Sequence, residues 1–178
     1  MSILKSWVFV LFAVGLVSGQ HRQVFYEEIN KFRRDPRAYQ QQHPGLIVRC
    51  TSSLDQSYVP LGVEHVLENS SYFQAETMSS NQCPVLSHDT CDVYCWKFGG
   101  CSFQKRIDWF LQDVPHYHST LEIMIQGPKN PYKIFHSFLG SEPHCNHILN
   151  PNINVMGASF VRTDSNVLVA DLAYFSSS

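Results

Sequence analysis

Six cysteines, Cys50, Cys83, Cys91, Cys95, Cys101 and Cys145, constrain this chain more than any other feature. What they can do depends on the compartment, and the amino terminus speaks to that. "MSILKSWVFVLFAVGLVSGQ" carries Lys5 ahead of an apolar run from Trp7 to Val17, followed by the small residues Ser18 and Gly19. The run is about half of the roughly 20 residues a membrane helix needs. It reads as a secretory signal, residues 1–19, cut after Gly19 to leave a single domain over residues 20–178. No later segment is long and apolar enough to span a bilayer, so no transmembrane segment is expected after signal removal. In an oxidising compartment an even cysteine count favours disulfides over metal thiolates. Six cysteines admit 15 pairings, and spacing does not choose among them. Four crowd between Cys83 and Cys101, but not as the paired Cys-x2-Cys halves of a zinc knuckle. Asn69-Ser70-Ser71 is a glycosylation acceptor that fits the same secreted, extracellular setting.

Charge excludes one class of partner. Thirteen Lys and Arg face fifteen Asp and Glu. The one basic cluster, Lys31, Arg33, Arg34 and Arg37, is diluted by Glu27, Glu28 and Asp35. That is a solvated helix face and not a nucleic-acid surface. Apolar residues make up 44% of the chain, enough for one core without repeats.

The periodicity then alternates between two kinds. Phe25, Ile29 and Phe32 share a helical stripe, broken at Asp35-Pro36, where Asp35 can cap a further helix and Pro36 suits its first turn. Residues 43–61 read as a long loop. "VEHVLENSSYFQAETMSS" is a second helix, and the Cys-rich stretch 82–102 after it has no periodicity. "SFQKRIDWFL" is a short helix with Phe103, Ile107 and Phe110 inward, and "TLEIMIQG" is a strand. "NPYKIFHSFLG" is a helix with Tyr132, Phe135, Phe138 and Leu139 inward. Two strands, "INVMGASFV" and "NVLVADLAYF", flank a turn at residues 163–166. Helices early and strands late suit an α+β fold with an antiparallel sheet covered by helices.

No nucleophile elbow, phosphate loop or H-E-x-x-H motif is present. The chemistry lies in the nine histidines. His88 follows the second helix, Glu122 interrupts an apolar strand, and His144 opens the stretch "SEPHCNHILNP". Two imidazoles and a carboxylate can hold zinc with a position left open, or act as a general base with its orienting partner. His147, three residues after His144, is the natural local partner of such a site. His116 and His118 read as loop residues, and His21, His43 and His65 as surface.

"FHSFLGSEPHCNHILNPNINVMGASF" resembles the core signature of the CAP superfamily, or SCP domain: cysteine-rich secretory proteins, antigen 5 and pathogenesis-related 1, in a short, bacterial-like form. Phe138 stands where Trp is usual, while Ser141, His144, Ile148, Leu149, Asn150, Pro151, Val155 and Gly157 are in register. His147 falls where the family has Asn, which makes it a substitution and not a ligand. "INKFRRDPRAY", "LENSSYFQAETM", "LSHD", "SFQKRI", "LEIMIQG" and "VADLAYF" match further family segments in order, over about residues 24–175.

The resemblance implies an α-β-α sandwich around a small, mainly antiparallel sheet. It also implies a cleft tetrad of two His and two Glu able to bind zinc or another divalent cation. His88, Glu122 and His144 map onto three members, with His88 and His144 as metal ligands, and Glu142 is the candidate for the fourth. Leu121, Ile123 and Pro143 replace the family's small and polar flanking residues, which implies a narrower, drier cleft. The function implied is extracellular binding of a protein partner, or of a lipid or sterol. The alternative is a zinc-dependent hydrolase in which His88 and His144 hold the ion and Glu122 polarises its water.

Overall fold

The computed structural model describes residues 4–80, 83, 86–114, 116–161 and 166–176, with residues 4–18 described by backbone alone. Six α-helices are described: α1 (Leu4–Arg34), α2 (Pro36–Gln42), α3 (His65–Ser79), α4 (Phe103–Phe110), α5 (Pro131–Leu139) and α6 (Glu142–Ile148), with a 3-10 helix at Asp92–Phe98. The strands are β1 (Gly62–Val63), β2 (Tyr117–Gln126), β3 (Val155–Val161) and β4 (Val167–Phe175). They form one mixed sheet in the order β1-β3-β4-β2, with β1 parallel to β3 and the other pairs antiparallel. Among the described residues no helix is long and apolar enough to cross a membrane. Of the expected turn at residues 163–166, only Asn166, at φ 36°, lies within the described residues.

Alternation along the strands sorts their side chains to two faces. On one face Ile123, Met156, Ala158, Leu168, Ala170 and Leu172 pack against α1, α5 and α6. Phe25, Ile29 and Phe32 of α1 are fully buried there, each worth about 1.5–3 kcal/mol of burial. Leu67 of α3 and Ile107 of α4 cover the opposite face at Ala173, and Ala75 and Met78 of α3 cover it at Met124 and Val169. The result is the α-β-α sandwich expected from the sequence.

Gly157 sets how closely α3 lies on the sheet. A Cβ there would stand 2.1 Å from the Glu68 amide nitrogen and 2.3 Å from the Leu67 carbonyl carbon, so only glycine allows the contact. The three disulfides are Cys50–Cys145, Cys83–Cys91 and Cys95–Cys101. The first ties the long loop to α6, whose Asn146 side chain also accepts the Thr51 and Ser52 amides at 2.9 and 3.1 Å.

Three side-chain placements differ from the sequence pattern. Arg33, read as part of a solvated basic face, is fully buried. Its guanidinium donates to the carbonyls of Val59, Ile148 and Asn150, at 2.7, 2.5 and 3.1 Å, joining α1 to the segments around β1 and α6. Long aliphatic stems let Arg enter a core when carbonyls take its donors. On α4, Arg106 and Ile107 face inward while Phe103 and Phe110 are only partly buried. On α5, Ile134 takes the inward position and Tyr132 is 46% exposed.

Candidate functional site

His88, Glu122 and His144 lie toward one edge of the sheet, where β2 is the outer strand and α6 packs beside it. Glu122 projects from β2 on the α3 face and is 4% exposed. Asp171 of β4 lies directly across from it, and Gly157 of β3 lies across from Asp171. Two carboxyls therefore share one buried layer under α3, beside a single cation. Arg106, fully buried on α4, forms an ion pair with Glu122 Oε2. Its guanidinium also donates to the His88 carbonyl at 3.1 Å and the Thr90 hydroxyl at 3.3 Å.

His88 takes the other Glu122 oxygen, with Nδ1 2.9 Å from Oε1. The segment carrying His88 has no regular structure and is pinned from several sides. Gln74 of α3 donates to the Ser87 and Asp89 carbonyls at 2.8 and 3.2 Å. Asp89 accepts the Phe103 amide at the start of α4, and Thr90 donates its amide to the Cys101 carbonyl at 2.6 Å. The Cys83–Cys91 and Cys95–Cys101 disulfides close the loops on this segment. The cysteine cluster thus fixes a site residue that secondary structure does not.

His144 is held by α6, edge-on to Phe138 at 5.1 Å between ring centres. Burial lowers its pKa, and the neighbouring His147 and His88 lower it further. His147 is also lowered, first by burial and then by His88. The structure therefore brings His147, set aside in the sequence as a substitution, within electrostatic reach of His88. Glu142 is exposed in the first turn of α6. Asn69 is exposed on α3.

The electrostatics of the acid pair follow from burial. Desolvation pushes Glu122 up to about 7, against the pull of Arg106. Asp171, with no solvent exposure, is raised well above the usual aspartate range by burial and then by Glu122. Neither Asp171 oxygen meets a hydrogen-bond partner in good geometry, although Glu122 and Ser70 lie alongside. One cation cannot neutralise two buried carboxylates, so Asp171 keeps its proton, and Glu122, paired with Arg106, is the acid of the two that ionises first.

The fold, its cysteine staples and the β2-edge histidines agree with one family. The model of the cysteine-rich secretory protein family, CAP, matches residues 26–175. This chain is a member of the CAP family. Among solved structures it is similar to an outer surface protein from Borrelia burgdorferi, at 16% identity and a TM-score of 0.61, over 88% of this chain and 94% of that one. An extracellular SCP-domain protein from Bacillus anthracis gives 12% identity and 0.61, over 88% of this chain and 41% of that one. Venom allergen-like protein 4 from Schistosoma mansoni gives 12% identity and 0.54, over 88% and 90%. At these identities the likeness is one of fold. No curated protein matches the chain.

Arg106 and Asp171 of this CAP domain are the site residues that the sequence reading missed. Both left a signal: Arg106 is one of two basic residues in "SFQKRI" and lies three after Phe103 on the apolar side, and Asp171 is the lone acid in "NVLVADLAYF". The metal test separates roles within the expected set. Both Glu122 oxygens are engaged, one by His88 and one by Arg106. The donor atoms of His88, Glu122 and His144 do not all lie within 4.8 Å of one another. Among the described residues the one such group is Asp92, Cys95 and Cys101, and both of its sulfurs are bonded in a disulfide. Glu122, engaged on both oxygens, is an outer partner of His88 and not itself a ligand in this arrangement.

Proposed function

We propose that this CAP domain is a secreted, extracellular binding module, released after residue 19, whose cleft recognises a protein partner, a lipid or a sterol. The observation that carries the reading is the double engagement of Glu122. A buried carboxylate held by His88 on one oxygen and paired with Arg106 on the other serves as an anchor for those two groups, whereas the hydrolase alternative requires it to face and polarise a water.

With Glu122 ionised, its Oε1 can only accept, so His88 Nδ1 donates and Nε2 is left bare. A metal-binding histidine typically has its second nitrogen fixed by a carboxylate in this way. His88 and His144 would hold zinc or another divalent cation, and the ion would supply a Lewis-acidic anchor for a ligand's oxygen. Burial and Arg106 lower the His88 pKa, which keeps the ring in its ligating, neutral form. Exposed apolar groups beside the Cys-rich segment, Val93, Trp96 and Trp109, with Trp96 80% exposed, support a macromolecular or lipid partner.

Native mass spectrometry of the secreted chain tests this. The expected result is a mature start at Gln20, a glycan on Asn69, and co-purified lipid or partner that persists in His144→Ala while bound metal is lost. A hydrolytic activity abolished by His144→Ala, with no ligand retained by either protein, would replace the binding module with the enzyme.

A further inference from the structure

The Cys-rich segment that fixes His88 also builds a surface of its own. Its 3-10 helix, Asp92–Phe98, repeats every third residue, so its side chains fall on three sides. Cys95 and Phe98 belong to the inner side. Phe98 is 6% exposed, with its ring centre 5.0 Å from Phe73 of α3 and 5.5 and 6.0 Å from Trp109 and Phe110 of α4. Tyr94 and Lys97 share the second side and both lie on Phe73. Val93 and Trp96 share the third and face outward, 51% and 80% exposed. The Cys83–Cys91 and Cys95–Cys101 disulfides tie the helix to the segment after α3 and to the approach to α4. The outward ridge thus stands on a braced aromatic base.

Two features of this ridge bear on what covers it. The Trp96 indole N–H donates to the Val93 carbonyl at 3.1 Å, so the ring's one polar atom is satisfied within the helix and its exposed face is apolar. The Lys97 ammonium lies 4.9 Å from the Phe73 ring centre, 5.0 Å from Trp109 and 5.7 Å from Phe98. Cation–π attraction to three rings holds the charge in one place. Among the described residues Lys97 forms no ion pair. Asp92, the one acid of this helix, falls on a different side.

A convex apolar ridge with a fixed, unpaired cation beside it matches the layering of a phospholipid surface. There Trp settles at the boundary between headgroups and acyl chains, and Lys keeps its charge at the level of the phosphates. The missing counter-charge of Lys97 is thus an anion held next to an apolar layer.

We propose that the Val93–Trp96 ridge is a docking surface for a phospholipid bilayer, with Val93 and Trp96 entering the interface, Trp109 at the rim and Lys97 pairing with a lipid phosphate. The proposal rests on the binding-module reading and names a partner class for it, at a surface outside the His88–His144 cleft.

The chain has three tryptophans, and Trp7 lies in the segment expected to be removed, so Trp96 and Trp109 alone report in the mature protein. The test mixes the secreted chain with phosphatidylcholine vesicles, with and without phosphatidylserine, and follows tryptophan emission and co-sedimentation. Emission is expected to shift to the blue on both vesicle types and to be quenched by brominated acyl chains. Trp96→Ala, at an exposed position, is expected to weaken binding about 10-fold or more. Lys97→Gln is expected to weaken it about 5-fold on the phosphatidylserine vesicles, the share of one basic residue at an anionic surface. A thermal melt checks that both variants fold. A chain that stays in the supernatant with both vesicle types, or binds them as well after Trp96→Ala, overturns the docking surface. So does a Trp96-dependent dimer in ultracentrifugation without vesicle binding, which assigns the ridge to a second copy of the chain. Bound metal, read by native mass spectrometry on the same samples, keeps the two readings apart. Metal retained without vesicle binding sinks the ridge alone, and Trp96-dependent vesicle binding without metal sinks the metal site alone.

Discussion

Asp171→Asn tests the claim that one of the two buried acids keeps its proton. Asparagine is the neutral isostere of protonated aspartic acid, so the substitution asks the charge state directly. If Asp171 were ionised and paired with Arg106, removing it would leave a buried cation short of charge and cost about 3–5 kcal/mol. If it is protonated, the loss is the difference between two neutral polar groups, about 1 kcal/mol at neutral pH. Neighbours are in place for the new amide, since Glu122 and the Ser70 hydroxyl lie alongside.

The pH dependence gives a sharper reading. Asp171 is raised above the ordinary aspartate value in the folded state, so the native chain holds a proton that the unfolded chain releases. Between those two values, wild-type stability falls as pH rises, by about 1.4 kcal/mol per pH unit for this one group. Asp171→Asn lacks that slope. Urea unfolding of both proteins from pH 5 upward, followed by tryptophan fluorescence, should therefore show the variant gaining on wild type by up to that amount per unit. Taking the difference removes the histidines away from the acid pair, such as His136. A loss above 3 kcal/mol at pH 7, with a difference that is flat or grows in favour of wild type as pH rises, would refute the protonated-acid assignment.

Other perturbations probe separate parts of the design. Gly157→Ala should cost about 3 kcal/mol or more in chemical unfolding, because the atoms it meets are α3 backbone and cannot rotate away. Replacing Cys50 and Cys145 by serine removes a cross-link spanning 95 residues and should cost about 4–5 kcal/mol, against about 2–3 kcal/mol for Cys83 and Cys91, which span 8. An NMR titration should find His88, His136, His144 and His147 all below the ordinary value of 6.5, with burial as the first cause in each. Since their folded values are lowered, they contribute stability above pH 6.5 that is lost as the pH falls through that value and toward the folded ones. A stability profile insensitive to His144→Ala below pH 6.5 would contradict this.

Much of the fold is local and so was legible in the sequence. Phe25, Ile29 and Phe32 mark α1's buried stripe, Asp35-Pro36 marks its end, and the alternation in "LEIMIQG" and "INVMGASFV" marks strands. Apolar spacing and turn chemistry act over a few residues, and those are visible in one dimension. The resemblance to the CAP family placed His88, Glu122 and His144 in one cleft, which spacing alone did not. Which charges lie inside was hidden, because it depends on partners far away in the chain. Arg33 is buried by carbonyls from residues 59, 148 and 150, and Arg106 by Glu122, so neither could be told from a surface cation by its neighbours.

The sequence by itself determined the α+β class, the family and the residue types available for chemistry. Tertiary structure alone decided the cysteine pairing, because distance between sulfurs is a property of the folded chain. It also decided the roles within the site. Strand register set Asp171 against Glu122, α4 brought Arg106 to them, and burial raised both acids while His88 Nδ1 came to face Glu122.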